Sequence, residues 1–103
     1  MSEFDYQQLD DIIHSRIRLA AMAVLAAVDD AEFTYLRENI QATDGNLGSH
    51  LKVLEDAGYV GASKSFVDRK PLTRYRLTAL GRRAFREYVA RMDRLLAAAK
   101  KRS

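Results

Sequence analysis

The apolar period of this chain changes abruptly at Gly58, from helical to alternating, and few folds accommodate such a change. Upstream, Leu47, Leu51 and Leu54 recur at i, i+4 and i+7, the buried stripe of a helix. Downstream, Leu72, Arg74 and Arg76 alternate with Thr73, Tyr75 and Leu77, the two faces of a strand. Gly58 sits where a helix closes through a left-handed residue, a conformation that costs glycine nothing. After Leu77 the period turns helical again, with Thr78 placed to cap it.

The rest of the chain fits around this switch. Phe4, Tyr6, Leu9, Ile12 and Ile13 have loosely helical spacing. Ser15 is placed to cap a helix with the stripe Ile17, Ala20, Ala21, Val24, Leu25 and Val28, which Asp29-Asp30 breaks. A short helix is expected from Tyr35 to Ile40, capped by Thr34, and Gln41-Ala42-Thr43 connects it to the Leu47 helix, which Thr43 caps. Two short helices joined by a tight turn, over about residues 34–58, make a helix-turn-helix. Tyr59–Phe66 and Leu72–Leu77 read as a hairpin over about 59–77, its turn at Val67–Pro71 around the only proline. Leu80, Phe85, Tyr88, Val89, Met92, Leu95, Leu96 and Ala99 then form one stripe of about five turns, on a helix over about 79–99. Lys100-Lys101-Arg102-Ser103 is expected to fray. The fold class expected is α+β, mainly α: one domain over 1–103, a winged helix-turn-helix with a two-stranded β-hairpin wing and a long C-terminal helix.

Charge is segregated along this layout. Residues 1–60 carry four Lys/Arg against eleven Asp/Glu, a net of −7. Residues 61–86 carry eight Lys/Arg against Asp68 alone, a net of +7. A basic block on a hairpin is the electrostatic footprint of a protein that binds a polyanion. With no cysteine, disulfides, thiolate metal sites and thiol redox chemistry are excluded, and His14 and His50 lie far apart. No metal or other cofactor is expected, and no phosphate loop, nucleophile elbow or Ser/His/Asp grouping points to an enzyme. No apolar stretch reaches membrane-spanning length, and the acidic start Met1-Ser2-Glu3-Phe4-Asp5 does not resemble a secretory signal, so a cytoplasmic protein is expected.

The second helix of a helix-turn-helix is the one that fits the major groove of B-DNA. With its leucines inward, Gly45, Ser49, Lys52 and Asp56 point outward, and Asn46, Gly48, His50 and Val53 lie on the flanks. Asn46 suits a bidentate contact with adenine, and Ser49 and His50 can donate to base edges or phosphates. Gly45 and Gly48, near the helix start after Thr43 and Asp44, permit close backbone approach. The helix is nearly neutral, so the grip on phosphate falls to Lys64, Arg69, Lys70 and Arg74 of the wing, with the tip arginine reaching a minor groove. Arg76, Arg82 and Arg83 are equally suited to pairing with the acidic first half. Tyr75 and Phe66 are expected in the hairpin core.

Thr43–Val60, the wing Lys64–Pro71, Tyr75–Arg82 and His14–Leu19 together resemble the small stand-alone winged-helix transcriptional regulators related to the MarR and ArsR families, over roughly residues 9–90. The resemblance implies a homodimer that sets two recognition helices on a palindromic operator. This accords with surplus apolar surface at Leu9, Ile13, Phe85, Tyr88, Val89, Met92, Leu95 and Leu96. Metal sensing through cysteines, found in ArsR relatives, does not carry over, and 103 residues leave little room for the aromatic-ligand pocket of MarR relatives. The sequence does not say whether an effector exists. The rival reading is a winged helix that contacts a protein partner without reading DNA.

Overall fold

The computed structural model describes residues 5–101. Phe4, Arg102 and Ser103, which belong to the expected first segment and tail, lie outside them. The helical spacing of the N-terminal segment does not become a helix. Asp5 caps a single 3-10 turn, Tyr6–Gln8, and Leu9 is then extended. At Asp10 the carboxylate accepts from the backbone N–H of Ile12 (2.8 Å) and Ile13 (3.4 Å), a local turn that competes with helix continuation. The apolar residues still turn inward: Ile13 is fully buried and Leu9 and Ile12 pack on the core.

Helix α1 is Arg16–Ala26, with Ser15 at its N-cap. The Ser15 hydroxyl makes no capping bond, contrary to expectation; only its carbonyl joins the helix, accepting from Leu19 N–H at 2.7 Å. Its fully buried residues are Ala21, Met22 and Leu25, so the buried surface takes in Met22 beyond the expected stripe. The broadening follows from its central position, packed by α2 (Phe33–Ile40), α3 (Asp44–Asp56) and the sheet.

Strand β1 is only Ala31–Glu32, and its pairing with Tyr75 and Arg74 of β3 (Lys70–Leu77) adds a third strand to the expected hairpin. The sheet order is β1-β3-β2, all antiparallel, with β2 at Val60–Val67. Because β1 holds Glu32 extended, α2 starts directly after it. Glu32 is therefore the N-cap and Thr34 lies inside the helix. At the far end Gln41 takes a left-handed conformation (φ 60°), and Thr43 caps α3, its hydroxyl accepting from Asn46 N–H at 3.2 Å. Leu47, Leu51 and Leu54 are buried as expected. Gly58, at φ +80°, ends α3 with Tyr59 N–H donating to Leu54 C=O (3.0 Å) and Gly58 N–H to Glu55 C=O (2.9 Å), a Schellman closure.

The hairpin turns more tightly than its proline implies. Val67 pairs with Lys70 across two residues, Asp68 and Arg69, both with positive φ (51° and 66°), the type I′ geometry that matches strand twist. Pro71 instead lies in β3 opposite Phe66, where β1 does not reach and its lack of an N–H breaks no second ladder. Helix α4 is Ala79–Lys100, so Lys100 is helical rather than frayed. Thr78 caps it by accepting from Gly81 N–H (2.9 Å), while its own hydroxyl donates to Gly58 C=O (2.6 Å).

Candidate nucleic-acid interface

The α2–α3 pair is held by Arg37, whose guanidinium donates to both carboxylate oxygens of Asp44 at 3.1 and 3.4 Å. This exposed pair spans the Gln41 turn. The leucine face of α3 is sealed against the core; Thr43, Asp44, Gly45, Asn46, Ser49, Lys52 and Asp56 are exposed. Among the described residues, the side chains of Asn46 and Ser49 have no hydrogen-bond partner. A Cβ added at Gly45 or Gly48 would meet nothing within 4 Å. The fold therefore does not require these glycines, each of which weakens a helix interior by about 1 kcal/mol relative to alanine. The space is left open beside the helix start.

Two of the expected contact residues are already engaged. His50 is half-buried on the flank facing α1, where Arg18 donates to its Nδ1 at 2.8 Å and so leaves the ring proton on Nε2. Lys52 pairs with Asp56 one turn on (2.8 Å), and this bond holds its ammonium above the usual lysine range. Both partners are exposed, so water and a competing phosphate reach the pair.

On the wing, Lys64, Arg69 and Lys70 are exposed and have no acidic partner among the described residues. Arg74, expected with them, is instead gripped by two carboxylates of the β1 region, Asp30 (2.7 Å) and Glu32 (3.2 Å). Its charge is locally neutralised, and it braces β1 against β3. Arg76 lies across Gly61 and donates to Ser63 Oγ at 3.3 Å rather than pairing with the acidic half. Arg82 and Arg83 are exposed at the start of α4. Tyr75 packs on the core and against Phe33 (ring centroids 6.5 Å apart), as expected. Phe66 does not: it is 76% exposed near the wing tip.

The residues expected at a dimer surface divide in two. Ile13 and Tyr88 are buried in the protomer's own core, and Tyr88 OH is hydrogen-bonded to His14 Nδ1 at 2.7 Å, so neither reaches a surface a second copy could touch. Leu9, Phe85 and Met92 pack on the same core. Val89 and Leu96 are exposed on α4, with Leu95 half-buried between them.

Sequence reasoning missed a polar network that straps residues 8–14 across the body. Arg18 donates to the Ile12 and Asp11 carbonyls, Tyr59 OH donates to Asp10 (2.5 Å), and Arg91 donates to the Gln8 carbonyl (2.8 Å). The Asp10 bond and burial push the Tyr59 phenol up to about 12. The one local signal for this strap was Asp10 two residues before Ile12, an Asx-turn arrangement.

No group of three or more His, Cys, Asp or Glu among the described residues could hold a metal ion, and no described helix is long and apolar enough to cross a membrane. A shallow cleft of about 330 Å³ opens beside Val28, Ala31 and Tyr35, but its charged lining, Asp30, Glu32 and Arg74, is engaged in the ion pairs above.

Proteins of similar sequence or fold are known. An uncharacterized protein of Methanocaldococcus jannaschii is 40% identical over 78 residues, 76% of this chain and 85% of that one. The solved structure of a transcriptional regulator homologue from Pyrococcus horikoshii OT3 superposes with a TM-score of 0.87 at 27% identity, covering 96% of this chain and 98% of the other. A MarR-family transcriptional regulator from Silicibacter pomeroyi matches at a TM-score of 0.62 and 22% identity, over 87% of this chain and 57% of that one, a likeness of fold. The family model described as a winged helix DNA-binding domain matches residues 17–96, from the start of α1 into the last turns of α4, and the chain belongs to that family.

Proposed function

We propose that the protein is a sequence-specific double-stranded DNA-binding transcriptional regulator that acts as a homodimer, with α3 in the major groove and the wing on the adjacent backbone or minor groove. The observation that carries this reading is the division of labour within one protomer. Asn46 and Ser49 stand exposed and unpartnered on α3, while the unpaired cations Lys64, Arg69 and Lys70 gather on the wing. The description of the Pyrococcus horikoshii relative as a transcriptional regulator homologue supports it. Asn46 and Ser49 are the base readers; His50, held by Arg18, positions the flank of the helix. Arg74 belongs to the scaffold of the wing rather than to its phosphate contacts.

Fluorescence anisotropy with duplexes from the gene's own upstream region, across a salt series, tests this directly. Binding is expected to weaken steeply with salt and to prefer one duplex over its scrambled counterpart. Arg69→Ala or Lys70→Ala lowers affinity for all duplexes and reduces the log–log salt slope by about 1 each. Asn46→Ala or Ser49→Ala costs about 1–3 kcal/mol on the preferred duplex and nothing on the scrambled one. Absence of salt-dependent binding to any duplex would move the function to the protein-partner reading, with the acidic end of α3 (Glu55, Asp56) as the surface to examine.

A further inference from the structure

Phe66 is the most exposed large hydrophobic side chain described in the protein, and the fold gives it no partner. The strand register explains how it comes to be there. On β2, Val60, Ala62, Lys64 and Phe66 share one face, opposite Leu77, Tyr75, Thr73 and Pro71 of β3. That face is buried at Val60, partly buried at Ala62 and fully open by Phe66, because the body of the protein ends before the hairpin does. The two-residue turn then fixes Phe66 two positions from the left-handed pair Asp68-Arg69. Lys64 stands on the same face, Arg69 lies in the turn, and Lys70 projects from the opposite face of the ribbon with its partner Val67, none of the three with an acidic partner among the described residues; Asp68 is the only acid of the tip. Pro71 adds a little apolar surface beside it, and Val67, 53% exposed, does so on the other face.

A single exposed aromatic ring at the end of a narrow ribbon that carries free cations on both faces and in its turn complements a minor groove: phosphates on both walls and base steps at the floor. The apolar area is too small to hold the protein on a lipid surface, where stable attachment needs a broad buried face. We propose that Phe66 is a wedge that the wing inserts at a base step of the minor groove, so that the protein holds its operator bent. This inference rests on the DNA-binding function proposed above. Partial unstacking by an apolar side chain kinks a duplex by roughly 20–90° toward the major groove. The kink would select flexible pyrimidine–purine steps beneath the wing, giving sequence preference where no base edge is read.

The test uses the full chain and a duplex that the wild-type protein selects from a randomised pool, labelled at both ends for resonance energy transfer. Wild-type binding is expected to bring the ends closer. Phe66→Ser is expected to bind about tenfold more weakly and leave the duplex straight, with an unchanged salt slope because every cation remains. Phe66→Leu, still apolar, restores the bend. The melting temperature of Phe66→Ser stays at the wild-type value, since the ring packs on nothing. A duplex held straight by the wild type, or bent equally by Phe66→Ser, overturns the wedge and leaves the DNA-binding function standing. A change in the sedimentation of Phe66→Ser without DNA also overturns it, by making the ring a contact between copies. If the wild type selects no duplex, the DNA-binding reading falls and the wedge with it.

Discussion

Arg69 occupies a backbone position that suits glycine better. At φ 66° in a type I′ turn, following Asp68 at 51°, it accepts a left-handed strain of roughly 1–2 kcal/mol that Asp-Gly would avoid. Glycine returns part of that through its greater freedom in the unfolded chain, roughly 0.5–1 kcal/mol. Arg69→Gly is therefore expected to stabilise the fold by about 0.5–1 kcal/mol in urea unfolding while weakening duplex binding. Opposite signs for stability and affinity are the signature of a side chain kept for contact; a loss of both would mean that the guanidinium supports the fold instead. Tyr59 gives the converse case, a polar residue kept for structure. Its phenol donates to the Asp10 carboxylate, and this bond first, burial second, lifts it from an ordinary value of 10.0 to about 12. A raised tyrosine favours the neutral form in the folded state, so its contribution is complete below pH 10 and is lost as pH rises toward 12. Tyr59→Phe should cost about 1–2 kcal/mol at neutral pH and remove the highest tyrosine ionisation from an ultraviolet titration of the folded protein. Arg69's place on the wing was legible from its own neighbourhood, whereas Tyr59's partner, 49 residues away, was not. The outward placement of Asn46 and Ser49 could be read from helix geometry alone, but the partners of His50 and Arg74, namely Arg18 and the Asp30/Glu32 pair, could not, because they lie 32 to 44 residues away.

At the scale of elements, the junction of α3, the hairpin and α4 carries the arrangement. Thr78 ties the start of α4 to Gly58 through its hydroxyl and to Tyr59 through its backbone N–H (3.1 Å). Gly81 then lets the first turn of α4 press onto the Tyr59 backbone, where an added Cβ would stand 1.9 Å from the carbonyl oxygen and 2.7 Å from its carbon. Backbone on both sides cannot yield cheaply. Gly81→Ala is expected to destabilise by about 3 kcal/mol or more, read as a lowered urea midpoint at unchanged slope, whereas Gly45→Ala on the open face of α3 should stabilise by about 1 kcal/mol. Equal effects at the two positions would refute the close approach. The elements legible in the sequence are those whose signals are local: the leucine stripe of α3, the Thr43 and Thr78 caps, the Gly58 closure. Those it concealed depend on distant partners. Ala31–Glu32 is a strand only because β3 offers Tyr75 and Arg74 to pair with, and that pairing moved the start of α2. Pro71 drew the expected turn toward itself, but the hairpin register placed the turn at Asp68-Arg69.

The whole molecule is longer than its core requires. The radius of gyration is 15.5 Å, against about 13 Å for a compact chain of this length, and the extents are 57 × 25 × 21 Å. The excess lies in α4, whose 22 residues span about 33 Å, while Met92 is the last of its side chains in the central core cluster and only Ala98 is buried beyond it. Val89 and Leu96, seven residues apart and 41% and 48% exposed, lie on one face of that projecting helix. For the homodimer proposed above, a projecting helix with an open apolar face is the surface offered to a second copy, and because Ile13 and Tyr88 are buried in the protomer the proposed interface rests on this stretch and Leu95. Val89→Asp with Leu96→Glu is therefore expected to yield a monomer in sedimentation equilibrium, with the protomer's own circular dichroism retained because neither side chain belongs to its core. DNA affinity should fall by a larger factor on a two-site palindrome than on a single half-site, since linking two readers makes the second contact effectively intramolecular. A double variant that still sediments as a dimer would place the interface elsewhere. A monomer that loses equal affinity on both duplexes would show that α4 supports the reading head itself.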